Sequence, residues 1–192
     1  MRELVFFLEK ESAKALLENL FPLLLGPESQ CHPRFVVFEG KQDLEKQLER
    51  KLRGYLNPQA RFIVLRDQDK GNCREIKRTL AALCRRALRP EAKVRIACRE
   101  LEAFYLGDLR AVELGLGVSG LASKQGRVKY RDPDRLQSPS RELAKLTGHR
   151  YQKVAGSRAI ARHLDLESPR SRSFHHLLRA IRSAVQSPRQ SL

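Results

Sequence analysis

Four short apolar runs, set apart by longer amphipathic segments, constrain this chain more than any other feature. The runs "ELVFFL" (3–8), "RFVVF" (34–38), "RFIVL" (61–65) and "KVRIAC" (93–98) are rich in β-branched and aromatic residues and apolar nearly throughout. A strand with one wet face alternates polar and apolar residues; a strand covered on both faces does not, so these runs predict parallel strands at the centre of a layered fold. Between them, Ala15, Leu16, Leu20, Leu23 and Leu24 mark one face of a helix over 12–25. Leu44, Leu48, Leu52 and Tyr55 do the same over 42–56, and Ile76, Leu80, Leu83 and Leu88 over 75–88. The order β-α-β-α-β-α-β makes this an α/β chain with a four-stranded, mostly parallel central sheet. Right-handed crossovers gather the C-terminal ends of all the strands on one edge, where such folds carry their sites.

Residues just after a strand are therefore the candidates, and three times over they are acidic. Glu9 follows the first run, Glu39 the second, and the third runs into "LRDQDKGNC", with Asp67 and Asp69. Side chains two apart in an extended segment project the same way, so Asp67 and Asp69 are expected to converge. Converging carboxylates suit a hard cation, Mg²⁺ or Mn²⁺. The competing reading is a turn on Gly71 and Asn72 that leads into the N-cap of the next helix. After the fourth run comes "CRELEAFYLGD" (98–108), whose Glu100 and Glu102 join the candidate metal ligands. If helix begins at Arg99, positions i and i+2 diverge by about 200° and only one of the pair can face an ion. Leu101, Phe104 and Tyr105 mark the buried face, which favours Glu102. An acidic cluster favoured by the dipole at a helix start is the alternative.

Charge points to the partner. The 38 Lys and Arg against 22 Asp and Glu give a net charge of +16, the sign that attracts polyanions. It is concentrated: residues 121–192 hold 16 basic and five acidic residues, a net of +11. We therefore expect a core over 1–115 and a basic helical extension over 116–192 packed on it, with helices at 141–146, 157–164 and 173–185. Arg158, Arg162, Arg172, Arg179 and Arg182 recur at roughly helical intervals, with few aromatics beyond Tyr151 and Phe174. That pattern favours contact with phosphates over base stacking, and nucleic acid, DNA before RNA, as the partner. No apolar run reaches the roughly 18 residues of a membrane span, and Glu3 and Glu9 interrupt the opening as no secretory signal would allow; a soluble, cytoplasmic protein is expected. Cys31, Cys73, Cys84 and Cys98 stand singly, as free thiols. His175 and His176 have no spaced partners, the Gly-x-Gly at 115–117 lacks the context of a dinucleotide loop, and the closing "QSPRQSL" is expected to fray.

A strand ending in Glu, a helix, a further strand and helix, and then a strand ending in Asp-x-Asp resembles the Rossmann-like TOPRIM domain of topoisomerases, bacterial primases and OLD (overcoming lysogenization defect) nucleases. In that family the Glu follows the first strand and the Asp pair the third. Glu9 lies 58 residues before Asp67, with a strand and two helices between; Glu39 lies only 28 before it. "FFLEKESAKALL", with Ser12 and Lys14 opening the helix, is therefore the match, and Glu39 falls outside it. The whole chain is similar to small bacterial TOPRIM-like proteins of unknown function, through "GKQDL" at 40–44, "ELEAF" at 100–104 and the Lys153…Gly156-Ser157…Ile160 stretch. Genes of that group often lie beside an AAA- or ABC-type ATPase, which resembles the OLD nuclease arrangement split across two chains.

The resemblance implies Mg²⁺-dependent phosphodiester hydrolysis by a nuclease or nuclease-like subunit, in an ATPase-linked anti-phage or DNA-processing system. Glu9, Asp67, Asp69 and Glu102 would be catalytic, with Glu9, Asp67, Asp69 and one of Glu100 and Glu102 holding the metal. Lys10, however, stands where the family core has Gly. That departure favours the alternative, a non-catalytic nucleic-acid-binding or regulatory subunit that keeps the fold. Primase-like nucleotidyl transfer lacks a visible nucleotide-recognition segment.

Overall fold

In a computed structural model that describes residues 2–26 and 29–186, the four apolar runs become β1 (Arg2–Leu8), β2 (Cys31–Val37), β3 (Arg61–Asp67) and β4 (Lys93–Ala97). They form one sheet in the order β2-β1-β3-β4, and every pairing is parallel. Helices α1 (Glu11–Leu25), α2 (Lys41–Arg53) and α3 (Cys73–Arg86) make the crossovers.

Successive residues of a strand face opposite sides, and both sides here are covered. Leu4, Phe6, Leu8, Ile63 and Leu65 belong to the cluster that includes Leu16, Leu17 and Leu20 of α1. Val5, Phe7, Phe62, Val64, Val94 and Ile96 belong to the other, with Leu44, Leu48 and Leu52 of α2 and Leu80 and Leu83 of α3. β1 and β3 are apolar over most of their length because those side chains leave water on both faces, at about 1.5–3 kcal/mol per large residue.

The boundaries differ from expectation where backbone chemistry decides. β2 begins at Cys31, three residues early, and takes in Pro33. It is an edge strand, where a missing N–H on the open side leaves no ladder bond unmade. α2 stops at Arg53, with the Gly54 N–H bonding back to the Arg50 carbonyl, rather than running to Leu56. α3 begins at Cys73 because the Asn72 side chain accepts from the N–H groups of Arg74 and Glu75 at 2.9 and 3.3 Å.

After β4 come α4 (Glu102–Leu106) and α5 (Leu109–Leu116), three short 3-10 turns between Ala122 and Arg135, then α6 (Pro139–Leu146), α7 (Lys153–Ala161) and α8 (Arg172–Gln186). α7 packs on α1 and α5, while α8 packs on β4, β3 and β1. Ile160 of α7 and Phe174 and Ile181 of α8 share one cluster with Leu16 and Leu20, so the basic segment is part of the layer that covers the sheet. The Phe104 and Phe174 rings stack with centroids 4.8 Å apart. At the crossing of α5 and α7, a Cβ on Gly115 would lie 2.8 Å from the Cα and N of Ile160, so the Gly-x-Gly at 115–117 serves helix packing.

Cys73, Cys84 and Cys98 are free thiols. Among the described residues no helix is long and apolar enough to cross a membrane. The segment expected to fray lies, after Gln186, outside the described residues.

Candidate functional site

Because β1 and β3 are neighbours with Leu8 opposite Leu65, the residues that follow them meet at the C-terminal edge of the sheet. Glu9 accepts a hydrogen bond through Oε2 from the backbone N–H of Asp67, 2.9 Å away. Asp67 is 2 % exposed, and its Oδ1 accepts from the Leu101 N–H at 3.1 Å. Its Oδ2 forms an ion pair with the ammonium of Lys10, the extended N-cap residue of α1.

Glu102 opens α4 and is 1 % exposed. The Tyr151 hydroxyl donates to its Oε1 at 3.1 Å and lies 3.4 Å from Ser157 Oγ. The Tyr151 ring fits only because residue 156 is glycine, since a Cβ there would lie 2.5 Å from a ring carbon. The Lys153–Ile160 stretch thus acts on the centre indirectly: Gly156 and Ser157 seat the tyrosine that holds Glu102.

The charges do not balance. Burial, joined by Glu102 and Glu9, pushes the Asp67 carboxyl up to about 7 despite the opposing Lys10 ammonium. Burial alone would lower Lys10, but Asp67 first, then Glu102 and Glu9, outweigh it and hold the ammonium at about 12. The two shifts have different leading causes: burial raises the Asp67 carboxyl, and the surrounding carboxylates hold the Lys10 ammonium charged.

Asp69 is not part of this group. β3 ends at Asp67, and Asp69 takes the left-handed conformation, φ 54°, with its N–H bonded to the Arg99 carbonyl at 2.8 Å. The two-residue rule for extended chain therefore does not apply, and the Asp69 carboxylate pairs with Lys41 of α2 at 2.8 Å. Glu100 also goes elsewhere, accepting from the Ser140 N–H in the first turn of α6 at 2.7 Å. Glu39 is exposed and its N–H bonds to Asp43 at 3.1 Å, outside the acidic group as the spacing implied.

A divalent cation does not fit this donor set as arranged. Both Asp67 oxygens are engaged, by Leu101 and Lys10; Glu9 and Glu102 each accept a hydrogen bond, and Asp69 rests on Lys41. Among the described residues no group of three or more His, Cys, Asp or Glu is placed to hold a metal ion. Sequence reasoning missed Tyr151 as a partner for Glu102, although a buried tyrosine hydroxyl normally finds one. It also missed Lys41, whose signal was the lysine after Gly40 on the same edge.

The five C-terminal arginines are spread over two helical segments with different neighbours. Arg158 is exposed on α7, and Arg162, just past its end, donates to Asn19 Oδ1 at 3.0 Å. On α8, Arg172 and Arg179 are exposed, while Arg182 pairs with Glu167 at 2.8 Å and donates to the Leu166 carbonyl.

Over residues 8–182 the sequence matches the family described as "Domain of unknown function (DUF4276)". The chain belongs to the DUF4276 family. The DUF4276 match takes in Glu9 and Lys10 at one end and Arg182 at the other, so the acidic group and the basic helices fall within one family domain. No curated protein and no solved structure matches the chain.

Proposed function

We propose that this DUF4276 chain is a nucleic-acid-binding or regulatory subunit on a TOPRIM-like framework, with Lys10 as the cation of its acidic group. The Lys10–Asp67 ion pair carries the reading. In the resemblance to TOPRIM domains, Glu9 and Asp67 take the places of metal-holding carboxylates on adjacent strands. Here an ammonium held at about 12 occupies one of them, and it repels any second cation. The net charge of +16 supports a polyanionic partner, held through its phosphates with little sequence preference. The same resemblance points to an AAA- or ABC-type ATPase as protein partner, in a cytoplasmic system of bacterial defence or DNA processing.

Mg²⁺-dependent phosphodiester hydrolysis is the second reading, favoured by the excess of Glu9, Asp67 and Glu102 over Lys10. It requires Lys10 to leave Asp67. Incubating wild type, Lys10→Gly and Asp67→Asn with duplex and single-stranded DNA and RNA, with and without Mg²⁺ or Mn²⁺, tests both. Wild type is expected to bind without cleaving. Metal-dependent cleavage by wild type that disappears in Asp67→Asn would overturn the first reading in favour of the second.

A further inference from the structure

β4 is an edge strand, and on the face that α8 covers it carries two cations. Lys93 and Arg95 alternate along it with the buried Val94 and Ile96. Both are held in place by α8, Lys93 donating to Ser183 Oγ at 3.0 Å and Arg95 to the His176 carbonyl at 3.1 Å. Arg179, one turn on from His176, is close enough to depress the Arg95 guanidinium, after burial, below its usual range. His176 is lowered by burial and then by Arg95, His175, Arg179 and Lys77 of α3, and Lys93 by burial and then by Arg95 and Arg61. These groups repel one another, and among the described residues none of Arg61, Lys77, Lys93, Arg95, His176 or Arg179 has a carboxylate partner in an ion pair.

Such an arrangement asks for an anion. A protein interface would have an apolar or aromatic centre with charge at its rim. Among the described residues the exposed large hydrophobics are Leu23, Leu56, Leu88, Leu114, Val128 and Val154, and none lies on β4, α3 or α8. Donors tied down before binding lose little freedom on contact, which suits guanidinium recognition of phosphate. β4 also runs toward the acidic group, its last residue, Ala97, standing opposite Asp67.

We propose that the outer edge of β4, flanked by α8 and α3, is where the phosphate backbone of a nucleic acid is held; this rests on the nucleic-acid part of the function proposed above. It places the contact on Lys77, Lys93, Arg95, His176 and Arg179, and keeps from the five C-terminal arginines only Arg179. The acidic group then lies beyond the strand end toward which the bound backbone is led.

The test is a salt titration of duplex DNA binding by the full chain in two double variants. Lys77 and Arg179 are exposed, so Lys77→Ala/Arg179→Ala is expected to fold as wild type does, which a thermal melt checks. Its affinity should fall about tenfold or more at low salt, and the slope of log K against log salt should lose about 1.8, since each neutralised phosphate contributes about 0.9. Arg158→Ala/Arg162→Ala should keep the wild-type slope. In the wild type, DNA should also raise the pKa of His176 as followed by NMR. Loss confined to the Arg158/Arg162 variant, or equal in both, would overturn the β4 surface and leave the nucleic-acid reading standing. Absence of binding to any nucleic acid at low salt would remove both. Polyglutamate bound as tightly as DNA would mark a surface for acidic protein and overturn the proposal.

Discussion

Lys10, two residues past the end of β1, forms an ion pair with Asp67, the last residue of β3. Asp67 is buried and Lys10 half-buried, so taking away the ammonium leaves the buried carboxyl without its counter-charge, a loss that is large only where that carboxyl is ionised. Lys10→Ala should lose about 1.4 kcal/mol more at pH 8 than at pH 5, because Asp67, at about 7 beside Lys10, is protonated in both proteins at pH 5 and ionises by pH 8 only where the ammonium is present. Urea unfolding at the two pH values measures it. An equal loss at both would mean that Lys10 stabilises through packing alone.

The same substitution tests the cation site. A ligand of the folded state alone stabilises it by about 2.7 kcal/mol at 100 times its dissociation constant. Millimolar Mg²⁺ should raise the melting temperature of Lys10→Ala more than that of wild type, because the ammonium no longer occupies Asp67. Adding Asp67→Asn should abolish the difference. Identical Mg²⁺ shifts in all three proteins would place the ion elsewhere.

Asp67 should also shape the pH dependence of stability. Unfolded, its carboxyl titrates near 3.8; folded, it is pushed up to about 7, chiefly by burial. Between those values the folded chain binds a proton that the unfolded chain releases, so this group's contribution falls as pH rises, by up to about 1.4 kcal/mol per unit. Below 3.8 both states hold the proton and the effect vanishes. Asp67→Asn lacks the titration, so its stability relative to wild type should climb from pH 5 to pH 7 and then level off. A flat difference would show that Asp67 ionises at its ordinary pH in the folded chain.

Why the sheet and its first three helices were legible, and half the site was not, follows from the physics of each. Strands covered on both faces leave continuous apolar runs, and "ELVFFL" and "RFIVL" carry their own fold in their composition. Parallel pairing then brings Glu9 to Asp67 from strand order alone. Asp69 and Glu100 misled because their directions depend on loop backbone. The left-handed turns at Asp69 and Arg99 lock the two loops together, through the Asp69 N–H and the Arg99 carbonyl, and turn the Asp69 carboxylate to Lys41. Glu100 is claimed by a helix 40 residues on, a long-range partner that no local spacing announces. Pro33 shows the reverse case, a residue that reads against a strand until the strand is known to be an edge.

Glu102 depends on Tyr151 in a way that a single oxygen can test. The tyrosine hydroxyl donates to a carboxylate that is 1 % exposed. Tyr151→Phe keeps the ring and removes the donor, leaving a buried acceptor short of a partner at about 1–3 kcal/mol. We expect destabilisation in that range by urea unfolding. A change under about 0.5 kcal/mol, the level of an inert surface site, would mean that another donor reaches Glu102.

The last prediction concerns Gly115, where the sequence offered a Gly-x-Gly and the structure a helix crossing. A Cβ at 115 would meet the backbone of Ala159 and Ile160 at 2.8–2.9 Å, and backbone cannot swing aside as a side-chain tip can. Accommodation would have to come from separating α5 and α7, and α7 also packs on α1 and follows directly after Tyr151. Inserting a methyl into a filled core typically destabilises by about 1–3 kcal/mol, and Gly115→Ala should fall at about the upper end. Gly126→Ala is the control, because a methyl there would have nothing within 4 Å of it. In a helix or turn without strain, alanine should be neutral or slightly stabilising there, by roughly 0.4–1 kcal/mol through the unfolded chain. If separation of α7 reaches Tyr151, Gly115→Ala should also blunt the effect of Tyr151→Phe, and a double-mutant cycle would show coupling above about 0.5 kcal/mol. Additive losses would confine the damage to the α5–α7 contact, and a neutral Gly115→Ala would mean that the two helices can part without harm.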